Sequence, residues 1–140
     1  MSKKLFILAL VIFLLPSISA QAISKKQNTA QRNQNKWNLC QRKTSEMSLI
    51  ANAFAQAGAN SDQIAVAQKV ACFESNMDCQ ITSKRNRKGN VNVGLFQINS
   101  VHKQQNMNTC EANINFAVNL SKGGKNWKLW SAYKKALTLK

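Results

Sequence analysis

Residues 70–80 read VACFESNMDCQ, and Glu74 is the misfit in the row. The chain has only five acidic residues in 140, and this one stands among alanine, valine, phenylalanine and cysteine. A helix should begin just upstream, at Ser61 with Asp62 in its first turn, and run through QIAVAQKVACFES. Within it Ala67, Val70, Ala71 and Glu74 follow the i, i+3, i+4, i+7 rule and share one stripe. An apolar stripe faces the core, so a carboxylate near its end loses hydration. Desolvation favours the neutral carboxylic acid and raises its pKa. A neutral carboxylic acid near pH 7 is what a general acid requires. The bland reading is a glutamate at a helix end, paired with one of many lysines.

Moving outward, SEMSLIANAFAQAG has apolar residues at Leu49, Ile50, Ala53, Phe54 and Ala57, a helical spacing, with Ser45 as N-cap and Gly58 at its end. Residues 80–100 turn polar and glycine-bearing and then read VNVGLFQINS, a short hairpin or irregular β region. Helical patterning returns in CEANINFAVNLSKGG, where Ile114, Ala117 and Val118 share a face and the glycine pair stops the helix. A last helix is expected over WKLWSAYKKAL. The predicted fold class is mostly α (α+β), with a small β insert.

Size allows one domain. The first 22 residues, MSKKLFILALVIFLLPSISAQA, have a charged start at Lys3 and Lys4, an apolar run from Leu5 to Leu15, Pro16 and a small-residue AQA site. They read as a secretory signal peptide. The apolar run is shorter than the roughly 20 residues that span a bilayer, so no membrane span remains after its removal. Residues 23–39 are polar and basic and read as a flexible arm. Trp37 and Cys40 mark where the chain becomes tied to the domain, expected over 40–140. Export makes the environment oxidising. Cys40, Cys72, Cys79 and Cys110 are then candidates for disulfides, and no C-x-x-C pair suggests zinc or another metal. Three pairings are open. Cys72 and Cys79 can join only if the helix ends near Ser75 and the chain folds back, because helical spacing would hold them about 10 Å apart.

The net charge of +15 falls to about +13 without Lys3 and Lys4. It points to a polyanionic partner such as nucleic acid, an acidic membrane surface or a wall polymer. The basic run SKRNRKGN (83–90) has no interleaved aromatic residue, which argues against specific nucleic-acid stacking and for a solvated loop or electrostatic footprint.

ESN (74–76), followed by GLFQINSVH (94–102), NINFAVNL (113–120) and WSAYKK (130–135), resembles the lysozyme-like superfamily, in particular bacterial lytic transglycosylase and phage-type muramidase domains. The likeness covers roughly residues 60–136 and rests on four short motifs in the right order. It implies a lysozyme-like fold with a β hairpin beside a substrate cleft, and cleavage of the bond between N-acetylmuramic acid and N-acetylglucosamine. Carried over by position, Glu74 is the catalytic acid and Ser75 its motif partner. Gly94 permits close approach of backbone to sugar, Gln97 and Asn99 offer hydrogen bonds in the cleft, and Tyr133 points its hydroxyl at the glutamate. Lys134 replaces an asparagine of the family pattern. Asn92 stands where animal-type lysozymes have an aspartate.

Most glycosidases use two carboxylates, and an asparagine is neither nucleophile nor base. Asp78 sits beside Cys79 in an expected loop. Glu111 suits the first turn of the next helix. One glutamate without a second acid fits the lytic transglycosylase scheme that the resemblance implies, which needs no cofactor. Hydrolysis by a muramidase, or glycan binding without turnover, are the alternatives. His102, the sole histidine, reads as a loop residue at the rim. Trp127 and Trp130 read first as core. Domains of this kind act on peptidoglycan strands, in the periplasm or outside the cell, and serve secretion or conjugation assemblies and phages.

Overall fold

A computed structural model describes residues 3–102 and 107–139, with side chains from Ala22 onward. Its elements are α1 (Lys3–Cys40), α2 (Thr44–Gln56), α3 (Ser61–Ser75), β1 (Asn92–Val93), β2 (Ile98–Asn99), a 3-10 turn (Ser100–His102), α4 (Cys110–Leu120) and α5 (Tyr133–Ala136). The chain divides into two compact units, Met1–Asn33 and Gln34–Lys140. Described residues of the first unit are helical. The leader expected at 1–22 lies, apart from Ala22, on residues whose side chains are outside the description. Among the described residues no helix is long and apolar enough to cross a membrane. Residues 23–39, expected as a flexible arm, are part of α1. Neither glycine nor proline interrupts the chain between Pro16 and Gly58, and alanine, glutamine, lysine and arginine carry little helical penalty. Thr29 Oγ1 and Arg32 Nε bond carbonyls one turn back on their own helix.

The second unit is mostly α with a two-stranded antiparallel sheet. Its helix caps show how local sequence sets the boundaries. Asn60 and Gln63 form a reciprocal capping box at the start of α3. Thr109 accepts the Ala112 N–H at the start of α4. Ser45, expected to cap α2, lies one residue inside it, after Thr44, and its hydroxyl turns instead to Glu46.

Ile50 and Phe54 of α2, Ala67, Val70 and Ala71 of α3, Leu95 and Phe96 of the hairpin, and Ile114 and Ala117 of α4 form the core. Trp127 and Trp130 close it. Their rings lie 5.1 Å apart, and Phe96 stands 6.1 Å from Trp127 and 6.3 Å from Trp130. Both indole N–H groups are satisfied by carbonyls, Gly124 for Trp127 and Phe96 for Trp130. The helix expected across 127–137 is confined to Tyr133–Ala136; residues before it form turns. Those turns place both indoles in the core and leave Leu129 exposed.

The hairpin register pairs Asn92 with Asn99 and Val93 with Ile98. Gly94 has φ +72°, and a Cβ there would overlap the Asn113 side chain and the Met107 carbonyl oxygen, 2.6 Å away. Asn113 is fully buried. Its oxygen accepts the Phe96 N–H at 2.7 Å, and its amide donates to Val93 and Met107 at 2.8 and 2.9 Å. One side chain of α4 therefore holds β1 and the turn that follows it.

Two disulfides, Cys40–Cys72 and Cys79–Cys110, have Cα atoms 5.8 and 5.0 Å apart. Helix α3 does end at Ser75, and Asn76 and Met77 turn the chain through left-handed backbone at φ 56° and 62°. The turn carries Cys79 to the start of α4 rather than back to Cys72.

Candidate active site

Glu74 sits in the last turn of α3, on the stripe of Ala67, Val70 and Ala71, which are fully buried. Glu74 is half-buried and faces a cleft of about 390 Å³. Asn92, Gln97, Ile98 and Asn99 of the hairpin, His102 after it, Leu120 at the end of α4, and Leu129, Trp130 and Ser131 line the rest. Glu74 is the only carboxylate residue among them. Burial raises its pKa above the ordinary value; the Ala132 N–H, which donates to Oε1 at 3.3 Å, and the charges of Lys135 and Lys36 pull the other way but less strongly. Desolvation wins, so the proton is held more tightly than by an exposed glutamate.

The hairpin walls the cleft with neutral amides. Asn99 Nδ2 donates to Asn92 Oδ1 at 2.8 Å, while Asn99 Oδ1 accepts the Val101 N–H. That arrangement leaves the Asn92 amide nitrogen as the pair's donor for a ligand. Gln97 has left-handed backbone at φ 48°, an uncommon state for a side chain with a Cβ. Its amide nitrogen is committed to the Gly94 and Ile81 carbonyls at 3.0 and 3.3 Å, so its carbonyl oxygen is the group left for a ligand. The His102 ring lies 5.2 Å from that of Phe116.

The sequence that builds this cleft has a counterpart among known families: the one described as lysozyme like domain matches residues 51–132. The chain belongs to the lysozyme-like domain family. No curated protein matches it. The lysozyme-like match spans more than half of the chain and contains every residue that lines the cleft. At the family level, membership points to cleavage of glycosidic bonds in peptidoglycan, and hence to a glycan in the cleft.

Of the six residues that the resemblance assigned to the site, the structure brings Glu74, Gln97 and Asn99 into this cleft, where Asn92, His102 and Trp130 also lie. Three others lie elsewhere. Ser75 is buried; its hydroxyl donates to the Ala71 carbonyl at 3.1 Å and accepts the Asp78 N–H at 3.2 Å, closing the helix. Gly94 makes room for Asn113 rather than lining the cleft. Tyr133 is half-buried against the core, and the bond to Glu74 from this segment comes from the backbone of Ala132. Lys134 is exposed and outside the cleft. Asp78 caps the Gln80 N–H, and Glu111 lies in the first turn of α4; neither lines the cleft. Leu120, Leu129 and Ser131 escaped the sequence reading. Only Leu129 carried a usable signal, a leucine between two tryptophans in WKLW.

Among the described residues no group of three or more histidine, cysteine or acidic side chains is placed to hold an ion. The cleft offers one half-buried carboxyl, the amides of Asn92, Gln97 and Asn99, the His102 imidazole and an apolar wall.

Proposed function

We propose that this protein is a lytic transglycosylase that cuts peptidoglycan between N-acetylmuramic acid and N-acetylglucosamine with Glu74 as its single acid and base. The observation that carries this reading is that Glu74 is the sole carboxylate among the described residues lining the cleft, while the hairpin contributes Asn92, Gln97 and Asn99 to it. Glu74, whose proton burial holds more tightly than an exposed glutamate's, donates it to the bridging oxygen as the C1–O bond of the muramyl residue breaks. The 2-N-acetyl group of that sugar stabilises the positive charge left on C1. The carboxylate then takes the proton of the muramyl 6-hydroxyl, whose oxygen bonds to C1 and closes a 1,6-anhydro ring. The glycosidic oxygen leaves as a hydroxyl, Glu74 is protonated again, and no water is consumed. Gln97 and the Asn92–Asn99 pair supply hydrogen bonds to the sugar, and Leu129 supplies an apolar edge.

The same reading places the protein outside the cytoplasm. Support comes from the leader-like first 22 residues, from two disulfides in a 140-residue chain and from a wall polymer as the family's substrate. Its partners there are glycan strands.

The test is mass spectrometry of fragments released from purified sacculi by the exported, purified protein, with Glu74→Gln beside it. Fragments one water lighter than hydrolysis products, and absent with the variant, support the proposal. Reducing ends retain Glu74 as the acid but make the enzyme a muramidase. Folded protein that binds sacculi and releases nothing makes it a glycan-binding member of the family.

A further inference from the structure

The family match begins at Ala51, yet the end of α3 that carries Glu74 is completed by residues before it. The last carbonyls of a helix lack intrahelical partners and carry the negative end of its dipole. The Cys72 carbonyl is taken by the Asn76 N–H, and no basic residue lies in the last turn of α3 itself. Lys36 arrives from α1 instead. Its Nζ donates to the carbonyl of Phe73, the residue before Glu74, at 3.3 Å, and stands 5.6 Å from the centre of the Phe73 ring. One turn further on, Cys40 is bonded to Cys72. Trp37 between them is buried. The end of α1 is thus bolted to the helix turn that holds the acid.

We infer that Lys36 is a positioning residue for Glu74: it closes the C-terminal end of α3 at the Phe73 carbonyl, one residue before the acid, and brings its positive charge to the helix turn that carries the carboxyl. The functional half of this inference rests on Glu74 being the acid. Transglycosylation asks Glu74 to be an acid in one step and a base in the next, so its proton must be neither too loose nor too tight. Burial tightens it, and Lys36 loosens it together with Lys135 of α5 and the Ala132 N–H. His102 is the remaining titratable side chain lining the cleft; the hairpin contributes amides and Ile98. Lys36 is itself partly buried, and burial, with Lys135 nearby, makes its ammonium less stable than an exposed one, while Glu74 favours it. Both charges therefore depend on the packing around them.

Three full-length variants separate cap from charge. Lys36→Arg keeps both, Lys36→Gln can still donate to the Phe73 carbonyl but is neutral, and Lys36→Met loses both. The first readout is the carboxyl titration of Glu74 by NMR on protein labelled at glutamate, assigned with Glu74→Gln. Loss of the positive charge should move the midpoint upward in Lys36→Gln and Lys36→Met, and Lys36→Arg should restore it. The alkaline limb of wall cleavage should move the same way. An unchanged midpoint in Lys36→Gln would overturn the inference and leave Lys36 as a helix cap. Should Lys36→Met fail to fold, Lys36→Gln decides alone. Should the protein cleave no wall, the transglycosylase reading falls, while the carboxyl titration still answers for Lys36.

Discussion

Glu46 and Glu74 are the same side chain placed at opposite ends of neighbouring helices. Glu46 lies in the first turn of α2, partly exposed, and the Ser45 hydroxyl donates to its carboxylate at 2.6 Å. That hydrogen bond, more than any other influence, holds its pKa below the ordinary value. The positive end of the helix dipole suits a negative charge there. Glu74 lies in the last turn of α3, where burial outweighs one long backbone bond and two lysines and pushes the pKa up. Both line a recess: Glu46 shares one of about 520 Å³ with Asp78 and Ser75. A recess and a glutamate are therefore not enough to make an acid catalyst. The working difference is whether the fold hydrates the carboxylate or denies it water.

The largest expected effect is on turnover. Glu74→Gln should lower release of wall fragments by about 10²- to 10⁴-fold, the usual worth of a placed acid, whereas Glu46→Gln should leave release at the wild-type level. Equal losses in the two variants would erase the distinction between the two glutamates. Next in size is a change in the hairpin wall. Gly94→Ala forces a Cβ into the Asn113 cradle from left-handed backbone, and should cost about 2–4 kcal/mol in denaturant unfolding.

A pH series of melting temperatures tests the burial of Glu74 directly. Its folded pKa is raised, so the native state holds this proton more tightly than the unfolded chain. The stability it contributes is intact below the unfolded value, roughly 4.3, and is lost as pH rises through the folded value. Glu74→Gln should therefore melt above wild type at neutral pH and lose that advantage in acid. For Glu46 the sign reverses: its folded pKa is lowered, and the stability it brings is present above the unfolded value and lost as pH falls through the folded one. Ser45→Ala should remove most of it, and calorimetry at neutral pH should show a loss of no more than about 0.5 kcal/mol, since an exposed pair is screened by solvent.

Local pattern carried a good part of this protein. The 3.6-residue period put Glu74 on a buried stripe, the Ser61 start and the Gly pair bounded α3 and α4, and the order of four short motifs matched the family that the chain belongs to. Periodicity is a property of neighbours along the chain, so it survives in one dimension. Ser75 and Gly94 show its limit. Both sit in motifs that point to the cleft, but their side chain and missing side chain serve the helix end and Asn113. The polar 23–39 stretch illustrates the converse, because a composition that cannot build a core can still be helical.

The amino-acid sequence by itself determined that one carboxyl lies on an apolar helix stripe, that four cysteines are available in a small basic chain, and that the segment around Gly94 carries asparagine and glutamine and no acid. Only the tertiary structure decided which cysteines meet, which of the C-terminal apolar residues turns outward to the cleft, and that Lys36 reaches the end of α3. Each of these joins groups far apart in the chain; Lys36 and Phe73 are 37 residues apart. Residue types and spacing allow many such meetings, and the packing of α1, α3 and the 127–132 turns around one core selects among them.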